Sequence, residues 1–81
     1  MYVMIFRKFS QFERQRIRDT LGKYGITQQG PYYAFVRKIK SKCINTGNDL
    51  QECINEYTRR GLNEEALKNL AMFFRPELRM E

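Results

Sequence analysis

Four helix-start signals spaced along 81 residues constrain the fold more than any other feature of this chain. The first is Ser10-Gln11-Phe12-Glu13, a capping box in which hydroxyl and carboxylate each satisfy an orphan backbone N–H. The second is Gly30-Pro31, where proline suits the first helical position because its missing N–H does no harm. Asn48, with Gln51 three residues on, predicts a third start. Asn63 predicts the fourth, with Leu62 and Leu67 as a hydrophobic staple and Glu64 and Glu65 in the first turn, where the helix dipole favours acids.

The stops agree with the starts. Gly22 and Gly25 end the first segment, Asn45-Thr46-Gly47-Asn48 is turn chemistry, Gly61 suits a left-handed cap after Arg59 and Arg60, and Pro76 ends the last segment. Apolar stripes run between them. Ile17, Leu21 and Tyr24 mark the first helix; Tyr32, Val36, Ile39 and Cys43 the second, widened by Phe35. Leu50, Ile54 and Tyr57 mark the third, with Cys53 on its edge, and Leu67, Leu70, Phe73 and Phe74 the fourth. Phe12 lies roughly 140° from Ile17 around the helix and needs another neighbour or a partner. Asp19 and Lys23 are spaced as an i, i+4 ion pair. The expected fold is therefore all-α: one domain over 1–81, a small bundle of four short helices at about 11–23, 31–44, 49–60 and 64–75. Residues 1–9 form an extended or short helical arm. Its MYVMIF run favours β structure, but a lone strand is not stable in water. It either pairs with the same strand of a second copy or packs on the bundle.

A chain this short buries only about 60% of its unfolded surface, so self-association is an expected supplement, and the chain reads as a possible homodimer. The only apolar run near the start is Tyr2–Phe6, far short of the roughly 20 residues of a membrane span. It also lacks the pattern of a secretory signal. The expectation is a cytoplasmic protein with no membrane partner.

Enzymatic chemistry has little to work with. There is no histidine, the commonest general base and metal ligand. Gly22, Gly25 and Gly30 do not have the spacing of a phosphate-binding loop. Cys43 and Cys53, with no further Cys and no His, do not complete a zinc site. They read as two buried thiols, with a bridge across the turn as the alternative. No catalytic residue, cofactor, metal or small-molecule substrate is expected.

The charge points elsewhere. The chain carries +6, yet residues 1–42 hold ten Lys/Arg against two Asp/Glu, while residues 43–81 hold five against seven. Such asymmetry suggests a polyanion-binding half. Arg14, Arg16, Arg18, Arg37, Lys38, Lys40 and Lys42 fall on the first two helices, and Tyr33, spaced with Arg37 and Lys40, adds a ring able to stack or hydrogen-bond. These eight residues are the candidate nucleic-acid-binding site, for duplex DNA in the first instance or RNA. The alternative is a protein-interaction module docking through its apolar arm and the last helix, where Met72, Phe73 and Phe74 cluster.

Two partial resemblances fit this reading. Tyr24-Gly25-Ile26-Thr27-Gln28-Gln29 resembles the turn of helix-turn-helix proteins, which implies DNA binding by the following helix. The chain departs from that pattern at Gly30-Pro31, where the family has a buried aliphatic residue inside its second helix. Residues 2–7 followed by two helices resemble the ribbon-helix-helix arrangement, which implies a strand paired across a dimer. Here Tyr2, Met4 and Phe6 replace that family's groove-facing polar residues.

Overall fold

The computed structural model describes residues 9–78. Four helices follow in order: α1 (Gln11–Lys23), α2 (Gly30–Ile39), α3 (Gly47–Arg59) and α4 (Glu64–Phe74). The described residues contain no strand, and the architecture is the all-α four-helix bundle that the caps predict. The expected N-terminal arm lies, except for Phe9, outside the described residues.

The first cap forms as read from sequence. The Ser10 hydroxyl accepts from the Glu13 N–H at 3.1 Å, and the Glu13 carboxylate accepts from the Ser10 N–H at 2.9 Å. α1 then continues through Gly22 to Lys23, and the reversal falls to Gly25, whose φ of +68° lies in the left-handed region that favours glycine. Asp19 accepts from the Gln15 amide at 2.9 Å, one turn towards the N-terminus, so its helical partner is not the expected Lys23.

Two boundaries differ from expectation, each for a local reason. α2 ends at Ile39, five residues before the expected Ile44. The Ser41 hydroxyl donates to the Lys38 carbonyl at 2.7 Å and accepts from the Cys43 N–H at 3.3 Å, a side-chain alternative to the helical ladder. The turn that results folds Ile44 back into the core at 5% exposure and leaves Cys43 exposed, off the apolar stripe to which its spacing assigned it. α3 begins two residues early. Thr46 is its cap: its hydroxyl accepts from the Asp49 N–H at 3.1 Å, and the Asp49 carboxylate accepts from the N–H groups of Asn45 and Thr46 at 3.0 and 3.2 Å. A carboxylate accepts more strongly than a neutral amide and suits the positive end of the helix dipole. Asp49 therefore takes the role expected of Gln51, which bonds Asn55 instead.

α4 organises the core: α1, α2 and α3 all pack on it, and α2 also packs on α3. Ile17 and Leu21 from α1, Phe35, Val36 and Ile39 from α2, Ile54 from α3 and Ala66, Leu67, Leu70 and Ala71 from α4 are completely excluded from solvent. Phe35 meets Tyr57 edge-on at 5.3 Å between ring centroids, an arrangement the aromatic quadrupole favours. Polar ties fix how the helices meet. The Asn63 N–H donates to the Tyr32 hydroxyl at 2.8 Å, joining the α4 cap to α2, while the Asn63 side chain accepts from the Ala66 N–H. The Asn69 amide donates to the Tyr24 hydroxyl, and Arg75 donates to the Ile39 carbonyl at the end of α2.

Candidate nucleic-acid interface

The end of α2 and the turn after it gather the positive charge. Arg37, Lys38 and Lys40 line one surface depression with Phe9, Ala34, Ser41 and Tyr57. Lys40 also lines a neighbouring depression, together with Lys42, Asn45, Phe74 and Arg75. Lys40 is the C-cap of α2, still helical in conformation and bonded from its N–H to the Val36 carbonyl at 3.1 Å, whereas Lys42 lies in the turn that follows the early end of the helix.

The cations differ in what they already hold. Lys40 donates to the Glu13 carboxylate at 2.8 Å, with the two side chains only 31% and 24% exposed. Its ammonium also lies 5.3 Å from the Phe9 ring centre and 5.9 Å from that of Phe74, within cation–π range. Lys40 is thus a structural clasp between α1 and the α2 turn. Arg75 is likewise engaged, with the Ile39 carbonyl and with Glu77. Among the described residues no carboxylate lies within ion-pair distance of Arg37, Lys38 or Lys42, and all three are exposed. The negative end of the α2 dipole is equivalent to about half a charge. Beside that partial charge, the two depressions are lined by five cations, Arg37, Lys38, Lys40, Lys42 and Arg75, with Glu77 as their lining carboxylate. Glu13 is paired to Lys40, and Asp49, Glu52 and Glu56 lie on a further hollow that Lys38 also lines.

The three α1 arginines do not share one face. Arg16 and Arg18 lie two residues apart, about 200° around the helix, so one helix cannot turn both to the same side. Arg16 stacks over Phe73, 4.4 Å from its ring centre; Phe73 meets Phe74 edge-on at 5.0 Å, and Phe74 reaches Lys40. Arg16 is therefore joined through two rings to the cationic turn. Arg14 and Arg18, one turn apart, lie on the other flank of Ile17. Tyr33 is half-buried, packed against the core and in a T-shaped contact with Phe9 at 5.7 Å between ring centroids, so part of the ring is taken up by packing. Phe12 finds the neighbour its spacing called for in Phe73, at 5.9 Å, but remains 69% exposed; Met72, the residue before Phe73, is 65% exposed.

Sequence reasoning missed the contributions of Phe9, Asn45 and Arg75 to this end of the bundle. Ser41 in a run of bases was the available signal that the helix would stop early and bring Asn45 and Arg75 close to Lys42.

Three carboxylates in this region, Glu13, Asp49 and Glu77, are held below their ordinary values, Glu77 chiefly by the hydrogen bond from Arg75. Burial pushes Glu13 up, but the Lys40 ammonium and the Ser10 N–H bonded to it outweigh burial and hold it below its ordinary value. Asp49 is lowered first by the Asn45 N–H and further by the N–H and hydroxyl of Thr46. A lowered carboxylate stabilises the fold above its unfolded-state pKa, about 4.3 for glutamate. That contribution is lost as pH falls through the folded value. Thermal melts are therefore expected to be level from pH 7 to about pH 5 and to fall below about pH 4. Glu13→Gln keeps the capping geometry but loses the charge pair, so it should flatten the acid decline and cost less than about 1 kcal/mol at pH 7. An acid decline identical to that of the parent chain would show that the pair is not coupled to folding.

Comparison of the chain with protein-family models, with curated proteins and with solved structures found no match. No described helix is long and apolar enough to cross a membrane, and no group of three or more metal-ligating side chains among the described residues could hold a metal ion.

Proposed function

We propose that this chain is a non-enzymatic nucleic-acid-binding protein, acting on duplex DNA through the cationic end of the bundle formed by Arg37, Lys38 and Lys42, with Lys40 and Arg16 beside them. The observation that carries this reading is the convergence of Arg37, Lys38, Lys40 and Lys42 on two adjoining depressions, three of them without a carboxylate partner among the described residues. Exposed bases without an ion-pair partner are suited to displacing counterions from a phosphate backbone, the main source of affinity in sequence-independent binding. Arg14 and Arg18, on the far flank of α1, would contribute through the general field and not through contact.

The test is fluorescence anisotropy of the intact chain against labelled duplex DNA, single-stranded DNA and RNA between about 25 and 300 mM salt. Duplex binding should weaken with a log–log slope near −0.9 per neutralised phosphate. Preference for RNA or single strands would reassign the target class within the same site. No affinity for any of the three at the lowest salt would overturn the reading.

A second reading, a protein-docking module, is favoured by one observation: Phe12 and Met72 are exposed large apolar side chains adjoining Phe73 at the α1–α4 edge. Arg, Met and aromatic residues are the types enriched at protein interfaces. This reading takes precedence if the chain shows no affinity for nucleic acid.

A further inference from the structure

The two cysteines line one hollow, which shares no lining residue with the Lys42 depression. α3 supplies one wall, with Asp49, Glu52, Cys53 and Glu56 at helical spacing along a single flank. The other wall is Lys38 from α2 with Cys43 and Ile44 from the turn. Ile44, 5% exposed, anchors the turn in the core and so holds its neighbour Cys43 at the rim. Both thiols are free; Cys43 is exposed and Cys53 buried. Burial, then the Glu56 carboxylate, push the Cys53 thiol up against the opposing pull of Lys38 and Arg60, so it rests protonated and unreactive by itself.

We propose that Cys43 and Cys53 are a redox pair, closing an intramolecular disulfide when the protein meets a small-molecule disulfide oxidant. The difference in exposure sets the order. The Cys43 thiolate attacks one sulfur of the oxidant, forming a mixed disulfide and releasing a first thiolate. Cys53 then gives up its proton to solvent and attacks Sγ of Cys43, forming the Cys43–Cys53 bond and releasing the second thiolate. The two cysteine thiols lose two electrons, the oxidant's disulfide gains them, and the released protons go to solvent or the departing thiolates. A bridge requires Cα atoms within about 7 Å, and a common hollow is the arrangement from which the turn can close that distance. Lys38 lines both this hollow and the basic depression. Closure would therefore draw the base-bearing turn towards α3. The inference itself is independent of the nucleic-acid reading.

The test uses the intact chain in native buffer with hydroxyethyl disulfide, a neutral oxidant chosen because Asp49, Glu52 and Glu56 would repel an anionic one. Acid quenching, alkylation, intact mass and peptide mapping follow. The expected product is a monomer lacking two hydrogens, with neither thiol alkylated and Cys43 linked to Cys53. Cys53→Ser should stop at the mixed disulfide on Cys43, and Cys43→Ser should react far more slowly. The proposal is overturned if the parent chain stops at the mixed disulfide, bridges only between molecules, or closes in urea but not in native buffer.

Discussion

Phe35→Ala is expected to abolish the cooperative thermal transition. Phe35 is completely buried where α2 meets α3, and its ring packs edge-on against Tyr57. Truncating such a ring costs about 3–5 kcal/mol through lost transfer energy and the cavity left behind. A single core in a chain of this size rarely supplies more than about 3–5 kcal/mol in total. The two quantities are equal, so the variant should populate largely unfolded chains at 25 °C. Circular dichroism should show lost helicity and a melt without a pre-transition baseline. Phe35→Leu refills most of the volume and should cost less than about 1.5 kcal/mol, keeping the transition. A cooperative melt for Phe35→Ala within a few degrees of the parent would mean that the core does not depend on this ring.

The second large effect concerns binding. Replacing Arg37, Lys38 and Lys42 together by alanine removes the three exposed bases that have no carboxylate partner among the described residues. If each meets a phosphate, the log–log salt slope on duplex DNA should become shallower by about 2.7 and affinity at 0.1 M salt should fall on the order of a hundredfold. The melting temperature should change little, because none of the three carries an interhelical hydrogen bond or ion pair among the described residues. Lys40 is unsuited to such a test: removing it breaks the Glu13 pair that joins α1 to the α2 turn and mixes a stability effect with a binding effect. An unchanged slope in the triple variant would move the contact surface elsewhere, with Arg14 and Arg18 on the far flank of α1 as the next bases to test.

The helices were legible in the sequence because their signals are local. The Ser10–Glu13 box, Pro31 near the start of α2, the Asn63 cap and Gly61, whose φ is +102°, act within four residues of themselves. The errors arose where two local options competed. Thr46-Gly47-Asn48-Asp49 offers one cap and Asn48-Asp49-Leu50-Gln51 another, and the carboxylate decided between them. Ser41 could have continued the helix, but bonding the Lys38 carbonyl let the buried side chain be Ile44 in place of Cys43. The candidate site was harder to read, because pattern alone does not show which bases are already occupied. Lys40 and Arg37 look alike in sequence, yet one is tied to a carboxylate 27 positions away and the other is not. The contact of half-buried Tyr33 with Phe9 is one that no helical periodicity predicts.

The central position of α4 has a consequence for synthesis. Every other helix buries its apolar stripe against this one, and it is the last of the four in chain order. Emerging from the ribosome, α1, α2 and α3 would have their caps and turns but not the surface on which they pack. Short isolated helices are marginal in water, so the nascent chain gains most of its stability only once residues 64–74 are free of the exit tunnel. Until then Ile17, Leu21 and Val36 would be open to solvent, and the strongly basic first half would already be available to the polyanionic ribosome surface around it.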